Sequence, residues 1–422
     1  MITYSLTLLR QIQVLDPVAN THSICDVLLD REKILKIDHH LNEDFSEVKI
    51  INGKDLIFAP GLIDLYSYSE EPGYETRETL DTLAASAIAG GFTRVGILPQ
   101  TIPSVDNLTS LPYLQQRAKQ ISSVKLNFWG NLTKDAKGKQ MAELQELAMN
   151  GVLGFTDNRE IENLGMLWRL LEYLKPLGKP IALVPDCFSL RGDGVIREGF
   201  SSISCGLQVN PSITESTAVA AILEIVDATQ TPVHLMRIST RRSVELIAWG
   251  KSRGIPITAS TTWMHLLLDS RAIASYNSSL RLNPPLGNLE DRTVLIDAIS
   301  QGIIDMIAVD HHAYTYEEKT VPFAEAPTGT IGLQLALPLL WQELVETKKL
   351  SALQLWKVLS NIPCEYLGEP LSPIKAGSPL EFIIFDPKKS WEISPSNLYS
   401  LSHNTFWLGQ KIKGKVIASF VK

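Results

Sequence analysis

Cysteine is scarce in this chain, and none is paired. Cys25, Cys187, Cys205 and Cys364 are the only four in 422 residues, and no two stand at CxxC spacing. That excludes a disulfide framework and a thiolate zinc site, and it fits a reducing compartment. Long basic runs are also missing and the net charge is −7, so no nucleic-acid partner is expected. The opening MITYSLTLLRQIQVLDP has no basic n-region and no apolar stretch of spanning length. No signal peptide or membrane span is expected there, and a cytoplasmic location follows as the expectation.

What is present suits a soluble globular chain, with 45 % hydrophobic and 20 % charged residues. The length allows one large barrel and a smaller appended domain. Residues 4–15, 24–37 and 48–58 are short and β-rich, with Asp30, Arg31 and Glu32 reading as a hairpin tip. The segment from about 370 to 422 reads the same way. Residues 1–58 and 370–422 are therefore expected to build one composite, sandwich-like β domain.

Between them strand, loop and helix alternate. Apolar strand candidates fall at 61–69, 93–100, 124–131, 151–158, 180–187, 232–239, 256–263 and 305–312. Buried parallel strands read as apolar runs rather than as clean alternations. The pattern predicts an α/β fold, a (β/α)8 TIM barrel over 59–369, with its chemistry at the C-terminal ends of the strands.

The first of these strands carries Tyr66 and Tyr68, two apart and so on one face. A pair of histidines there would signal a metal. Phenols titrate near 10 and surrender a proton to zinc only at a cost, so two rings filling space is the plainer reading.

Several ordered blocks then point to a family. They include Ala59-Pro60-Gly61-Leu62-Ile63-Asp64, Glu71-Pro72-Gly73-Tyr74-Glu75, Gly90-Gly91-Phe92-Thr93 and Leu98-Pro99-Gln100-Thr101. Later ones are Gly154-Phe155-Thr156-Asp157-Asn158, Asn283-Pro284-Pro285-Leu286, Asp305 to Asp310 and Ala326-Pro327-Thr328-Gly329. Together they resemble class I dihydroorotases of the amidohydrolase superfamily, from about residue 50 to the C-terminus. The resemblance implies a zinc centre that hydrolyses the cyclic amide of dihydroorotate or closes it from carbamoyl-aspartate. It implies histidines on strands one, five and six, and aspartates on strands four and eight.

This chain departs from that pattern. The strand-one pair falls on Tyr66 and Tyr68, the strand-five donor on Val184 and the strand-six donor on Arg237, while Asp157 and Asp310 remain. By the same resemblance the substrate-binding arginine falls on Glu70, the asparagine on Gln100 and the histidine after strand eight on Tyr314. A guanidinium beside a divalent ion costs on the order of 4 kcal/mol at an effective dielectric of 20. No bound metal is therefore expected, and Asp310 is left as a vestigial base. Removing the ion would strand two carboxylates, so Arg237 is expected to pair with Asp310, Asp157 or both, with Tyr66 and Tyr68 hydrogen-bonded to the same carboxylates.

Three roles stay open. A relocated metal site could use His311, His312 or His265, although adjacent strand residues point oppositely. A pocket could hold a small anion on Arg237. The resemblance also implies a pseudoenzyme of pyrimidine biosynthesis, an oligomeric, non-catalytic partner of aspartate carbamoyltransferase; its counterpart is an active dihydroorotase with an atypical metal site. His234 reads as a satisfied interior histidine, and His22, His39, His40 and His403 as surface residues.

Overall fold

The computed structural model describes residues 6–30, 32–41, 48–121 and 123–421. Arg31, at the tip of the expected hairpin, lies outside them. The N-terminal strands are β1 (Leu6–Asp16), β2 (Thr21–Leu29), β3 (Ile34–Asp38), β4 (Val48–Asn52) and β5 (Ile57–Pro60). Next come β6 (Leu62–Ser67), β7 (Phe92–Ile97), β8 (Lys125–Phe128), β9 (Ala182–Leu183), β10 (Val233–Leu235), β11 (Ile257–Thr262) and β12 (Met306–Ala308). The chain ends on β13 (Phe382–Glu392) and β14 (Lys411–Phe420).

The two ends share one seven-stranded sheet in the order β14-β13-β5-β1-β2-β3, with β4 added to β1. The first and last parts of the chain meet where β13 pairs antiparallel with β5. Leu9, Ile12, Val27, Leu29, Phe58 and Phe382 form the apolar layer of this sheet.

The middle of the chain is the barrel. β6, β7 and β8 pair in parallel, and so do β9, β10, β11 and β12. The fourth position of the ring is held by Phe155 alone, which bridges Gly130 on one side and Ile181 on the other. The Tyr68 N–H donates to the His311 carbonyl at 2.9 Å and closes the ring. Every residue of β6 is buried, as a parallel strand covered on both faces requires.

Helices cover the outside. Helix Leu80–Ala89 starts from a capping box in which Thr79 and Thr82 satisfy each other's backbone N–H. Leu83, Ala84 and Ala87 then face the strands. No described helix is long and apolar enough to cross a membrane.

Candidate functional site

The C-terminal ends of the strands converge on a small mouth cavity of about 50 Å3, lined by Tyr68, Asn158, Arg237, His265, Asp310 and His312 among others. Three of these residues, Asn158, Arg237 and Asp310, have left-handed backbone, with φ of 52°, 55° and 55°. Such conformations cost free energy in non-glycine residues and gather at functional sites. Here they turn three strand ends inward at one level.

Arg237 and Asp310 form a bidentate ion pair. Nε donates to Oδ2 at 2.7 Å and Nη2 to Oδ1 at 2.5 Å. The arginine side chain is 4 % exposed and the aspartate 20 %. Burial works to lower the Arg237 pKa, but Asp310 and the nearby phenols outweigh it and raise the pKa above the ordinary value. The guanidinium carbon also lies 5.3 Å from the centre of the Tyr66 ring, within cation–π range.

Of the partners expected for Arg237 the structure realises Asp310, and one expectation for the neighbours is corrected. Asp157 does not meet Arg237. Its carboxylate accepts from the N–H groups of Leu132 and Thr133 at 2.8 and 2.9 Å and from Thr133 Oγ1 at 2.5 Å. Burial pushes its pKa up against these hydrogen bonds. Nor do the tyrosines bind the carboxylates. Tyr66 Oη hydrogen-bonds Ser260 Oγ at 2.7 Å and accepts from the Arg237 backbone N–H at 3.2 Å. Tyr68 Oη accepts from Asn158 Nδ2 at 2.7 Å. Tyr66 spends its hydroxyl on Ser260 of β11, and Tyr68 on Asn158 in the loop after Phe155. Asn158, rather than Asp157, is the side chain that lines the mouth.

Val184 is buried in an apolar cluster with Tyr66, Trp129 and Met236 and offers no donor. Gln100 donates to the Asp157 carbonyl at 2.8 Å. Glu70 faces Arg77 at 2.9 Å and His312 at 3.1 Å. Arg77 is further tied to Glu318 through Nε at 2.9 Å. Its guanidinium is thus consumed by two carboxylates and stacked on Tyr74 at 3.9 Å. The Tyr314 ring packs beside His312, with centroids 4.4 Å apart.

The histidines are engaged separately. His312 stacks on Tyr68 with ring centres 3.6 Å apart; burial lowers its pKa, with Glu70 opposing. Gly329, at φ +138°, lets the chain pass close to it, since a Cβ there would come within 2.6 Å of the His312 Cβ. His311 turns the other way. Its Nδ1 accepts from the Gly332 N–H at 3.1 Å and its Nε2 faces Glu78 at 3.1 Å. His265 is held by Thr262 at 2.7 Å. His234 lies between Thr258 and Ser260 at 2.9 and 2.8 Å. Burial takes the pKa of His234 down to about 3 and that of His265 to about 4.

Among the described residues, no three His, Cys, Asp or Glu side chains are grouped so as to hold a metal ion. The zinc implied by the resemblance does not fit the residues present. A structural site wants about four N, O or S donors, whereas this mouth presents one carboxylate clamped by a fixed cation and two imidazoles, His265 and His312, held apart by Thr262 and Glu70.

Residues outside the expected set shape the site as well. Glu215, on helix Ile213–Thr229, accepts from the N–H groups of Ser239 and Thr240 at 3.1 Å each. Arg197 lies 3.4 Å from it, and both are almost fully buried. This pair pins the turn just after Arg237. Nothing in the local spacing of Arg197, Glu215 or Arg77 marks them in advance, because their partners are distant in sequence.

A family model described as Dihydro-orotase-like matches residues 54–243. A probable dihydroorotase-like protein of Synechocystis sp. is 42 % identical over 97 % of this chain and 98 % of its own. The dihydroorotase of Geotalea daltonii is 33 % identical over 97 % of this chain and 96 % of its own. That of Aquifex aeolicus is 35 % identical, over 96 % and 95 %. Among solved structures, the L-hydantoinase (dihydropyrimidinase) from Arthrobacter aurescens superposes with a TM-score of 0.83 at 18 % identity, over 99 % of this chain and 96 % of that one. The D-hydantoinase from Thermus sp. gives 0.80 at 20 % identity, over 98 % and 94 %. At these identities the solved structures carry the fold alone, and that fold is the β/α barrel with its appended sheet.

Proposed function

The chain belongs to the dihydroorotase-like family, and from that premise we propose that it has given up metal-dependent hydrolysis of cyclic amides and serves pyrimidine biosynthesis as a non-catalytic assembly partner of aspartate carbamoyltransferase. One observation carries the first half of this reading: the bidentate Arg237–Asp310 pair in the barrel mouth. The strand-eight aspartate would be both a metal ligand and a base. Here both of its oxygens accept from a permanent cation. A divalent ion would have to displace that guanidinium and then sit beside it.

The loss has a direct chemical consequence. A bound metal supplies a hydroxide nucleophile near neutral pH and polarises the amide carbonyl. Without it, water with a pKa near 15.7 must be activated by a carboxylate alone. Substrate binding is altered in the same direction. Glu70 stands where the resemblance implies an arginine for the substrate carboxylate, and Arg77 nearby is already paired twice.

The second half, assembly with the transferase, rests on an intact fold kept without its chemistry. A cytoplasmic site follows from the pathway. The test has three parts, run on protein purified without added metal. Zinc is measured by plasma mass spectrometry, dihydroorotate hydrolysis and carbamoyl-aspartate cyclisation are assayed, and the chain is mixed with the same organism's aspartate carbamoyltransferase and sized by light scattering. Expected are no stoichiometric zinc, no turnover above background and a joint complex. Stoichiometric zinc together with turnover would establish an active enzyme with an atypical site. Separate elution of the two proteins would remove the partner from the proposal and leave the loss of chemistry standing.

A further inference from the structure

A second and larger cavity opens at the strand ends, outside the mouth. Its volume is about 320 Å3, and none of its lining residues is shared with the mouth cavity. Leu167, Leu183, Val184, Ala218, Ala221 and Ile222 make its apolar walls. They come from helix Leu164–Leu174, the end of β9 and helix Ile213–Thr229. Ala218 and Ala221 are three apart on that last helix, so their small side chains fall on one face and hollow it out. Val184, where the resemblance implies an imidazole, adds a further apolar wall.

Three charged residues, Arg159, Glu162 and Asp186, line the cavity. Arg159 lines this cavity and also the adjoining cleft that carries Lys137 and Lys139. The other charges at the rim are largely spent. Arg191 binds Asp186 at 2.7 Å and approaches Glu160 at 3.5 Å. Lys137 binds Asp135 at 2.8 Å. Arg159, Lys139 and Glu162 remain, and none of them makes an ion pair with a described residue. Arg191 stands against two carboxylates, so the charges at the opening sum to zero, and the exposed guanidinium of Arg159 is the cavity-lining cation left without a carboxylate partner among the described residues.

We propose that this cavity is a binding site for a small amphipathic carboxylate, whose apolar body lies between the two alanines and Val184 and whose carboxylate meets Arg159. The volume falls in the range of small-molecule sites, and an apolar lining with one convergent polar group is how such sites orient a ligand. A guanidinium recognises a carboxylate through two parallel hydrogen bonds. Arg237 and Asp310 do not line this cavity, so binding here and the loss of metal chemistry can be tested separately.

Isothermal titration calorimetry of the full chain tests this with octanoate, 1-octanol and octylamine. Octanoate is expected to bind saturably, 1-octanol about tenfold more weakly and octylamine not at all. Arg159→Ala should bring octanoate down to the affinity of octanol and leave octanol unchanged. Ala221→Phe fills the cavity and should weaken octanoate by about tenfold or more at an unchanged melting temperature. Thr217→Phe, on the exposed rim, should give the same block if Ala221→Phe fails to fold. Absence of saturable octanoate binding, equal binding of octylamine, or indifference to both phenylalanine variants would overturn the proposal. Equal affinities of octanoate and octanol would remove the carboxylate from it.

Discussion

The Arg237 guanidinium presents two N–H groups to the two oxygens of Asp310, at 2.7 and 2.5 Å, in a mouth lined by Tyr68 and over the Tyr66 ring. One cation meets one carboxylate, and no second cation is needed. Asp157, the other acidic residue at this level, is satisfied by two backbone N–H groups and one hydroxyl instead. A single arginine can therefore stand in for the electrostatic role of an ion of higher charge, because only one carboxylate in the mouth lacks dipolar partners.

Removal of this cation should be costly. Arg237→Met leaves Asp310 facing two phenols in a site largely closed to water. The expected loss is about 3–5 kcal/mol of unfolding free energy. Adding Asp310→Asn removes the stranded charge and should restore most of it. Urea unfolding of the single and double variants at neutral pH checks this. Equal stability of wild type and Arg237→Met would show that the pair contributes nothing.

The geometry also predicts that metal binding can be put back. Tyr66→His, Tyr68→His, Val184→His and Arg237→His together replace two phenols, a methyl-branched wall and the competing cation with imidazoles. Asp310 is freed by the same change. The fourfold variant is expected to retain about one or more equivalents of zinc through dialysis, since the donors then reach the number such sites use. Wild type is expected to retain none. Similar zinc contents in the two proteins would contradict the account of Arg237.

Glu70 gives a third test. Its carboxylate is bracketed by Arg77 at 2.9 Å and His312 at 3.1 Å. Glu70→Arg would introduce the charge implied for a substrate carboxylate, yet set it against Arg77. The expected cost is about 2–4 kcal/mol, from one broken charge-assisted bond and one like-charge contact. Pairing it with Arg77→Glu should recover only part of that stability, because Glu318 then faces a like charge. Thermal unfolding of the two variants provides the measurement, and a neutral Glu70→Arg would refute the bracket.

The barrel was legible because buried parallel strands must be apolar runs, and the chain shows eight with helical patterns between them. The count holds, although the run at 151–158 contributes only the Phe155 bridges rather than a full strand. The opposition of Arg237 and Asp310 was legible for a different reason: a buried carboxylate left without a metal needs a cation, and Arg237 was the charge nearest in the pattern. The tyrosine hydrogen bonds were not, because a strand position fixes the face of a side chain but not how far its hydroxyl reaches. That Asp157 needs no cation was not legible for a related reason. Its partners are backbone N–H groups of residues 132 and 133, and backbone donors leave no mark in a sequence. Arg197 and Glu215 escaped notice because their meeting depends on the packing of helix Ile213–Thr229 behind the strand ends.

The interior histidines make stability fall on acidification, with a sign that can be worked out. His234 and His265 are fully buried, and burial lowers their pKa to about 3 and about 4, from 6.5. Between roughly pH 6.5 and those values the unfolded chain binds protons that the folded chain refuses. The stability they contribute is complete above about pH 6.5 and is lost as pH falls from there to the folded values, by about 5 kcal/mol for His234 and about 3 kcal/mol for His265. Asp64 acts in the opposite sense. Burial, opposed by hydrogen bonds from Ser67 and Val309, raises its pKa from 3.8 to about 7. Its contribution is complete below about pH 4 and is lost as pH rises towards 7. The raw pH profile therefore mixes the two, and a difference is needed. His234→Gln keeps a polar side chain between Thr258 and Ser260 but cannot take a proton at these pH values. Its stability relative to wild type should improve by about 1.4 kcal/mol per pH unit as pH falls below 6, the slope of a single proton. Urea midpoints for both proteins from pH 7.5 to pH 4.5 give that slope. A pH-independent difference would mean that His234 titrates alike in the folded and unfolded chain, against the burial that the barrel imposes on it.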